Sequence, residues 1–217
     1  MKTLIAIPCM DQVPSMFCKS LLGMRAIGEA EYSFVMGTLI YDARNKLAEK
    51  AIKEGFDRVL WLDSDMVFES DLQERMHKRL DEGYDYVTGL YITRKRPYKP
   101  TIYKELAIHD VNGALYPEAV CYMDYPYESV FEIAGSGLGC CMMSVKLIET
   151  IYKKMGMPFS PVLGFGEDLS FNLRCRDVEV KMFCDSSIKA THIGYANVTE
   201  ETFFWEKANG LGDMKDA

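Results

Sequence analysis

The chain has 217 residues, of which 48% are hydrophobic and 26% charged, and its formal net charge is −7. This size suits one domain, or one domain with a short appendage, and the composition argues against extensive disorder. The negative charge argues against broad electrostatic capture of nucleic acid. No apolar run reaches the roughly 18 residues of a membrane-spanning helix, and residues 1–8 lack the pattern of a secretion signal.

The first half of the chain predicts strands and helices in alternation. The expected elements are a strand at residues 3–7 that ends at Pro8, a helix closed by Gly28, a strand at 32–35, a helix from Asp42 to Gly55, a strand at 58–62, a helix opened by Ser70 and Gln73 at capping-box spacing, and a strand at 86–91. This order predicts an α/β domain whose central sheet is mainly parallel and flanked by helices.

The second half predicts a small antiparallel part before the domain is completed. Residues 93–100 are basic and contain prolines, which indicates a loop, and Asn112-Gly113 indicates a hairpin within residues 101–134. The remaining expected elements are an apolar strand at 140–143, a helix at 146–154, a short helix opened by residues 167–168, and a strand pair at 181–184 and 189–192. We expect one domain over residues 1–200 and a partly flexible tail over 201–217.

Seven cysteines and three histidines restrict the chemistry that is available. The cysteine number is odd and no CxxC pair occurs, which disfavours a disulfide framework and a zinc ribbon. Reduced thiols are the simpler interpretation, and they favour a cytoplasmic protein.

Two carboxylates follow the predicted strand at residues 58–62. Ligands of open α/β sheets bind beyond the carboxyl ends of the strands, and Asp63 and Asp65 lie at such an end. Carboxylates one residue apart can share Mg²⁺ or Mn²⁺. Aspartates also begin turns and cap helices, but their place directly after an apolar strand favours a metal site.

Three further residues could carry chemistry. Glu167 and Asp168 open a helix, where a carboxylate can act as a general base or simply complement the helix dipole. His192 ends the last strand, and as a third metal ligand it would favour Mn²⁺ over Mg²⁺. A lone histidine in apolar surroundings is more often a core residue.

Together, the order of strand-DSD, GSG, GEDLSFNLR and strand-HIG resembles the family 2-like glycosyltransferases with the GT-A fold. The small single-domain members from bacteria and phages are the most similar, and the resemblance covers roughly residues 2–195. The matching stretches are IAIP, LIYDARNKLAEKA, VLWLDSDMVF, GLYITRKRPYKP and GEDLSFNLRCRDVEVKMFCDSSIKATHIG.

The resemblance implies a role for each matching residue. Asp63, Asp65 and His192 would hold the metal, and Asp168, with Glu167 beside it, would supply the base of an inverting transfer. Eight residues would lie at the nucleotide-sugar donor: Pro8, Arg44, Asp63, Ser64, Asp65, Gly135, Ser136 and Gly137. For Arg44 the alternative is an ion pair with Asp42 or Glu31, and for residues 135–137 it is an ordinary glycine turn.

The implied activity is transfer of a sugar, with Mn²⁺ or Mg²⁺, from a nucleotide-diphosphate donor to an acceptor hydroxyl. UDP is named as the nucleotide by analogy with the family. The acceptor stays open between a glycan, a protein and a modified nucleic acid, and so does formation of a homo-oligomer. The basic residues that could receive a phosphate-bearing acceptor, or form only a solvated loop, are Arg94, Lys95, Arg96, Lys99 and Lys104.

Other functions fit the sequence less well. A sugar nucleotidyltransferase would show a glycine-rich basic loop after the first strand, and residues 9–14 contain neither a glycine nor a basic residue. The chain lacks the GxGxxG motif of a dehydrogenase and the Walker motif of a P-loop enzyme. A catalytically silent nucleotide-sugar-binding or structural protein with the same fold remains an alternative.

Overall fold

The structure is a computed structural model that describes residues 1–194 and 197–210. The strands are β1 (Lys2–Cys9), β2 (Glu29–Met36), β3 (Arg58–Leu62), β4 (Met66–Phe68), β5 (Tyr86–Leu90), β6 (Ile102–Val111), β7 (Ala114–Cys121), β8 (Val130–Ile133), β9 (Gly135–Ser136), β10 (Cys140–Ser144), β11 (Met182–Ile193) and β12 (Asn197–Val198). The helices are α1 (Ser15–Gly23), α2 (Ile40–Lys53), α3 (Leu72–Asp81), α4 (Val145–Met155), α5 (Glu167–Asp177) and α6 (Glu200–Ala208).

The predicted α/β class with a mainly parallel sheet is confirmed. The central sheet has the strand order β12-β11-β5-β10-β3-β1-β2, and β4 and β8 also pair with β11. Strands β1, β2, β3, β5 and β11 run in one direction, whereas β10 lies antiparallel between β3 and β5. A second, antiparallel sheet has the order β7-β6-β9, as expected for residues 101–134.

The core lies on both faces of the central sheet. Successive strand residues point to opposite faces, so Leu4 and Ala6 pack in one cluster and Ile5 and Ile7 in another. Helices α2, α4 and α5 contribute to the first cluster, and α1 and α3 to the second. The sheet is therefore covered by helices on both faces, and polar residues are found at the ends of its strands.

A third, small cluster joins the antiparallel sheet to α5. Leu106 of β6 packs with Phe165 and Leu173, which lie just before and within α5. This contact fixes the orientation of the helix that Glu167 and Asp168 open.

Two predicted helix ends were wrong. Helix α1 ends at Gly23, and Gly28, with a φ of 66°, lies in the turn before β2. Helix α3 has Asp71 as its N-cap without a side-chain cap, so Ser70 and Gln73 form no capping box. The Gln73 amide instead accepts a hydrogen bond from the N–H of Ile27 (3.3 Å), because tertiary contacts outweigh local capping.

The predicted strand pair at residues 181–192 is one strand. Strand β11 runs from Met182 to Ile193, and its register with β5 shifts between Asp185 and Lys189. Residues 186–188, which lie between the two predicted strands, fall at this shift.

Helix α6 spans the predicted domain limit at residue 200. Its Phe203 and Glu206 are buried, and Thr199 and Thr202 form a capping box at its start. The division into a domain and a flexible tail stays a prediction, since residues 211–217 lie outside the described part of the chain. Within residues 1–194 and 197–210, no helix combines the length and hydrophobicity needed to cross a membrane.

Candidate functional site

A cavity of about 440 Å³ opens at the carboxyl ends of β1 and β3. It is lined by Pro8, Cys9, Met10, Gln12, Pro14, Thr38, Ile40, Ala43, Asp63, Ser64, Asp65 and Arg94. Four of the residues predicted to contact a donor therefore share one cavity, namely Pro8, Asp63, Ser64 and Asp65. This is the edge at which open α/β sheets bind ligands.

Arg44 is a buried cation beside this cavity. It lies on the inner face of α2 and is only 2% exposed. Its Nη2 donates to Oδ1 of Asp63 (2.7 Å) and its Nε donates to Oε1 of Glu167 (3.1 Å). One side chain thus ties together α2, the segment after β3 and the start of α5.

The surroundings of Arg44 keep it charged. Burial alone would lower the pKa of its guanidinium, but the carboxylates of Asp63 and Glu167 raise that pKa above its usual value. The guanidinium also lies 5.5 Å from the ring centroid of Trp61. The predicted alternative of a pair with Asp42 or Glu31 is wrong, since Glu31 pairs with Lys50 and Arg44 pairs with Asp63 and Glu167.

Asp65 and His192 face each other at the opposite side of the site. The Nδ1 atom of His192 lies 3.0 Å from the carbonyl oxygen of Ile92, which can only accept, so Nδ1 carries a proton and donates it to this oxygen. The other ring nitrogen, Nε2, lies 3.3 Å from Oδ2 of Asp65. This arrangement directs Nε2 of His192 and a carboxylate oxygen at one another, and it is the usual way in which a ligating histidine is oriented.

Positive charge keeps Asp65 ionised. Burial raises the pKa of its carboxyl, but the hydrogen bond with His192 and the charges of His192 and Arg94 lower that pKa below its usual value. Arg94 donates from Nη1 to the same Oδ2 of Asp65 at 2.5 Å.

The residues present fit a small divalent cation as a partial ligand set. Two ligands at about 2.1 Å from an octahedral ion are about 3 Å apart, close to the Asp65–His192 separation. Asp63 lines the same cavity, but its Oδ1 is engaged by Arg44. Among the described residues, no three His, Cys, Asp or Glu side chains are grouped closely enough to hold a metal. The structure therefore brings Asp65 and His192 together, whereas Oδ1 of Asp63 is held by Arg44.

Asp168 has the environment of a proton acceptor. Burial, followed by the nearby charge of Glu167, raises the pKa of Asp168 to about 6. Its Oδ1 accepts a hydrogen bond from the N–H of Leu169 (2.7 Å). A carboxylate with a pKa near the working pH is suited to general-base catalysis.

Residues Gly135, Ser136 and Gly137 are buried, and the close packing around them explains why positions 135 and 137 are glycine. A Cβ on Gly135 would lie 3.0 Å from Nδ2 of Asn172, and one on Gly137 would overlap the hydroxyl of Tyr91. The Ser136 hydroxyl lies 2.7 Å from that of Tyr86. Gly135 and Ser136 form strand β9, which pairs with β6, so these two residues lie in a strand and not in a turn. Contact between these residues and a donor stays a prediction.

Arg94 is the main residue whose place the sequence did not predict. The sequence pattern groups it with the basic loop as a candidate acceptor site, yet its side chain lines the cavity with Asp65. Its position three residues after Tyr91 was the available signal, since the carboxyl end of β5 lies at the same sheet edge as Asp63. Arg96 points elsewhere and pairs with buried Glu206 of α6 (3.0 Å).

No protein-family model and no curated protein matches the chain, but solved structures do. A197 from STIV superposes with a TM-score of 0.65 and 23% sequence identity, over 93% of this chain and 92% of that one. The chain has a GT-A-like fold. GalNAc-T7, a GT-A glycosyltransferase solved with UDP, GalNAc and Mn²⁺, superposes with a TM-score of 0.59 and 8% identity. That match covers 92% of this chain and 44% of GalNAc-T7. At these identities the likeness establishes the fold alone.

Proposed function

We propose that the protein is a metal-dependent glycosyltransferase that moves a sugar from a nucleotide-diphosphate donor to an acceptor hydroxyl. The observation that carries the proposal is the Asp65–His192 pair at a cavity on one edge of a GT-A-like fold, with the raised-pKa carboxylate of Asp168 near enough to Asp63 to interact with its charge. The fold alone does not distinguish an enzyme from a silent relative, so the proposal depends on these side chains.

Asp65 and His192 are the proposed ligands of a Mn²⁺ or Mg²⁺ ion. Such ions are commonly held by one or two protein carboxylates together with substrate phosphates and water, so an incomplete protein set is compatible with binding. The histidine favours Mn²⁺. When bound, the cation would stabilise the negative charge that develops on the departing diphosphate. Asp63, within the same cavity, is the proposed third contact.

Asp168 is the proposed general base. It would take the proton of the acceptor hydroxyl as the oxygen attacks the anomeric carbon and the bond to the diphosphate breaks. Attack opposite the leaving group inverts the anomeric centre through an oxocarbenium-like transition state. Glu167, held by Arg44, positions the helix start and contributes to the raised pKa of Asp168.

UDP is the proposed nucleotide, and Pro8 and its neighbours in the cavity would contact its base. GalNAc-T7 was solved with UDP, GalNAc and Mn²⁺, which supports the choice of nucleotide and metal at the level of the fold. We also propose that the protein acts in the cytoplasm, where nucleotide sugars are made.

Isothermal titration with UDP, in the presence and absence of Mn²⁺, tests the proposal. We expect binding that requires Mn²⁺, is lost in Asp65→Asn and is retained in Asp177→Asn, which removes a carboxylate at the distant end of α5. Hydrolysis of UDP-glucose, UDP-galactose, UDP-GlcNAc and GDP-mannose would then identify the donor. Metal-dependent binding without hydrolysis of any donor would favour the silent binding protein, and no binding at all would reject the proposal.

A further inference from the structure

Arg94 lies where a bound metal and a bound diphosphate would meet. It belongs to the basic loop after β5, its side chain is 52% exposed, and it lines the cavity with Asp63, Ser64 and Asp65.

The guanidinium of Arg94 contacts the carboxylate oxygen that a metal would need. Its Nη1 lies 2.5 Å from Oδ2 of Asp65, and Nε2 of His192 lies 3.3 Å from the same oxygen. A guanidinium and a divalent cation repel each other, so they cannot both lie against this oxygen at low cost. Arg94 therefore competes with a metal for Asp65.

The loop is anchored so that the Arg94 side chain can move while the backbone stays in place. The N–H of Thr93 donates to the carbonyl of Lys99 (2.9 Å), which closes the loop at its base. Beyond Arg94, the buried carboxylate of Glu206 pairs with Arg96 and accepts from the N–H of Tyr98 (3.3 Å). A long, half-exposed side chain on a fixed base can change partner by rotation about its own bonds alone.

We propose that Arg94 exchanges partners during donor binding: it pairs with Asp65 in the free protein and transfers to the donor diphosphate when the metal arrives. The exchange rests on the proposed function. An arginine suits the second partner because its planar fork binds phosphate oxygens in a bidentate manner. In the first pair, Arg94 compensates the negative charge of ionised Asp65. In the second, it places positive charge beside the leaving diphosphate.

The two partners predict opposite effects of one substitution. In Arg94→Ala, Mn²⁺ alone should bind about three- to tenfold more tightly, because the competing cation is gone. At saturating Mn²⁺, UDP should bind about tenfold more weakly, because a charge-assisted contact is lost. Lys95→Ala removes the same charge from the neighbouring exposed position and should change neither constant by more than about twofold. Titration calorimetry with MnCl₂ and then with UDP measures both.

A conservative variant separates charge from geometry. Arg94→Lys should restore the competition with Mn²⁺ but recover UDP affinity only in part, because an ammonium lacks the fork. Tighter Mn²⁺ binding with weaker UDP binding in Arg94→Ala supports the exchange. Unchanged constants, or a change of both in one direction, overturns it while the proposed function stands. A wild-type protein that binds neither Mn²⁺ nor UDP overturns the proposed function and the exchange together.

Discussion

The two sides of the candidate site are held by opposite means. On one side, fully buried Arg44 joins Asp63 to Glu167 and lies against Trp61. On the other, the half-exposed Arg94 holds Asp65 from a loop. We call these the buried side and the exposed side.

The difference indicates a division of labour. Removing one partner of a buried ion pair leaves an uncompensated charge at high cost, whereas an exposed pair contributes little to stability. The buried side therefore acts as a frame that holds three segments in place. The ion pair on the exposed side can break at a small cost in free energy, and so a ligand can enter on that side.

The largest expected effect concerns chemistry rather than folding. Asp168→Asn should lower the rate of sugar transfer by about 10²- to 10⁴-fold, because the proton acceptor is lost. UDP binding should stay within about twofold. The free energy of unfolding at pH 7 should not fall, because burial already disfavours the charged carboxylate. Steady-state kinetics, calorimetry and urea unfolding measure the three quantities.

The pH profile provides the control for this assignment. The pKa of Asp168 is raised to about 6, so the base is ionised above that pH and protonated below it. The wild-type rate should therefore fall about tenfold per pH unit below pH ~6 and level off above pH ~7. A residual rate in Asp168→Asn with the same profile, or an equal loss of UDP binding and turnover, would contradict the assignment.

The buried side should show the largest effect on stability. Arg44→Met keeps the apolar stem but leaves Asp63 and Glu167 without their cation, and we expect a loss of about 3 kcal/mol of unfolding free energy. Urea unfolding gives the value. Arg25→Ala is the matched control, since its pair with Glu74 is exposed on both sides (60% and 58%) and its removal should cost less than about 1 kcal/mol. Equal losses in the two variants would refute the idea of a frame.

A smaller loss of stability is expected at Gly137, where any side chain would clash with its neighbours. Gly137→Ala would place a methyl group in steric conflict with the Tyr91 hydroxyl. This hydroxyl accepts a hydrogen bond from the N–H of Gly139 (2.9 Å). We expect a destabilisation of about 2 kcal/mol, seen as a lower melting temperature. Gly23→Ala places a methyl group where no atom lies within 4 Å and should leave the melting temperature nearly unchanged. A tolerated Gly137→Ala would remove the packing explanation.

The smallest expected effect belongs to the exposed side. Arg94→Ala should change the free energy of unfolding by less than about 1 kcal/mol, because its pair with Asp65 is partly solvated. The same urea titration used for Arg44→Met makes the comparison direct. A loss as large as that of Arg44→Met would abolish the distinction between the two sides.

The architecture could be predicted from the sequence because the patterns that indicate it are local. Apolar strands, helical periodicity and the position of Asp63 after β3 all lie within short windows, and they led to the correct class and sheet edge. The neighbourhood of Asp65 and His192, 127 residues apart, followed from their places at the ends of β3 and β11 and from the family resemblance.

The parts that were missed depend on contacts between distant side chains. Arg44 and Glu167 are 123 residues apart, and no local pattern distinguishes this pairing from one with Asp42 or Glu31. Gly135 and Gly137 are small because Asn172 and Tyr91 fill the space beside them, which a single sequence does not reveal. Arg94 was missed because a basic loop is usually solvated, and only the fold turns one of its side chains inward.

The small cluster of Leu106, Phe165 and Leu173 couples the antiparallel sheet to the start of α5. Strands β6 and β7 extend from this cluster as a hairpin whose far end is exposed. The hairpin therefore contacts the start of the helix that carries Asp168 through three apolar side chains, and at its base it continues into residues 93–101, which include Arg94. A displacement of the hairpin would thus act both on the helix that carries the proposed base and on the loop whose Arg94 pairs with Asp65.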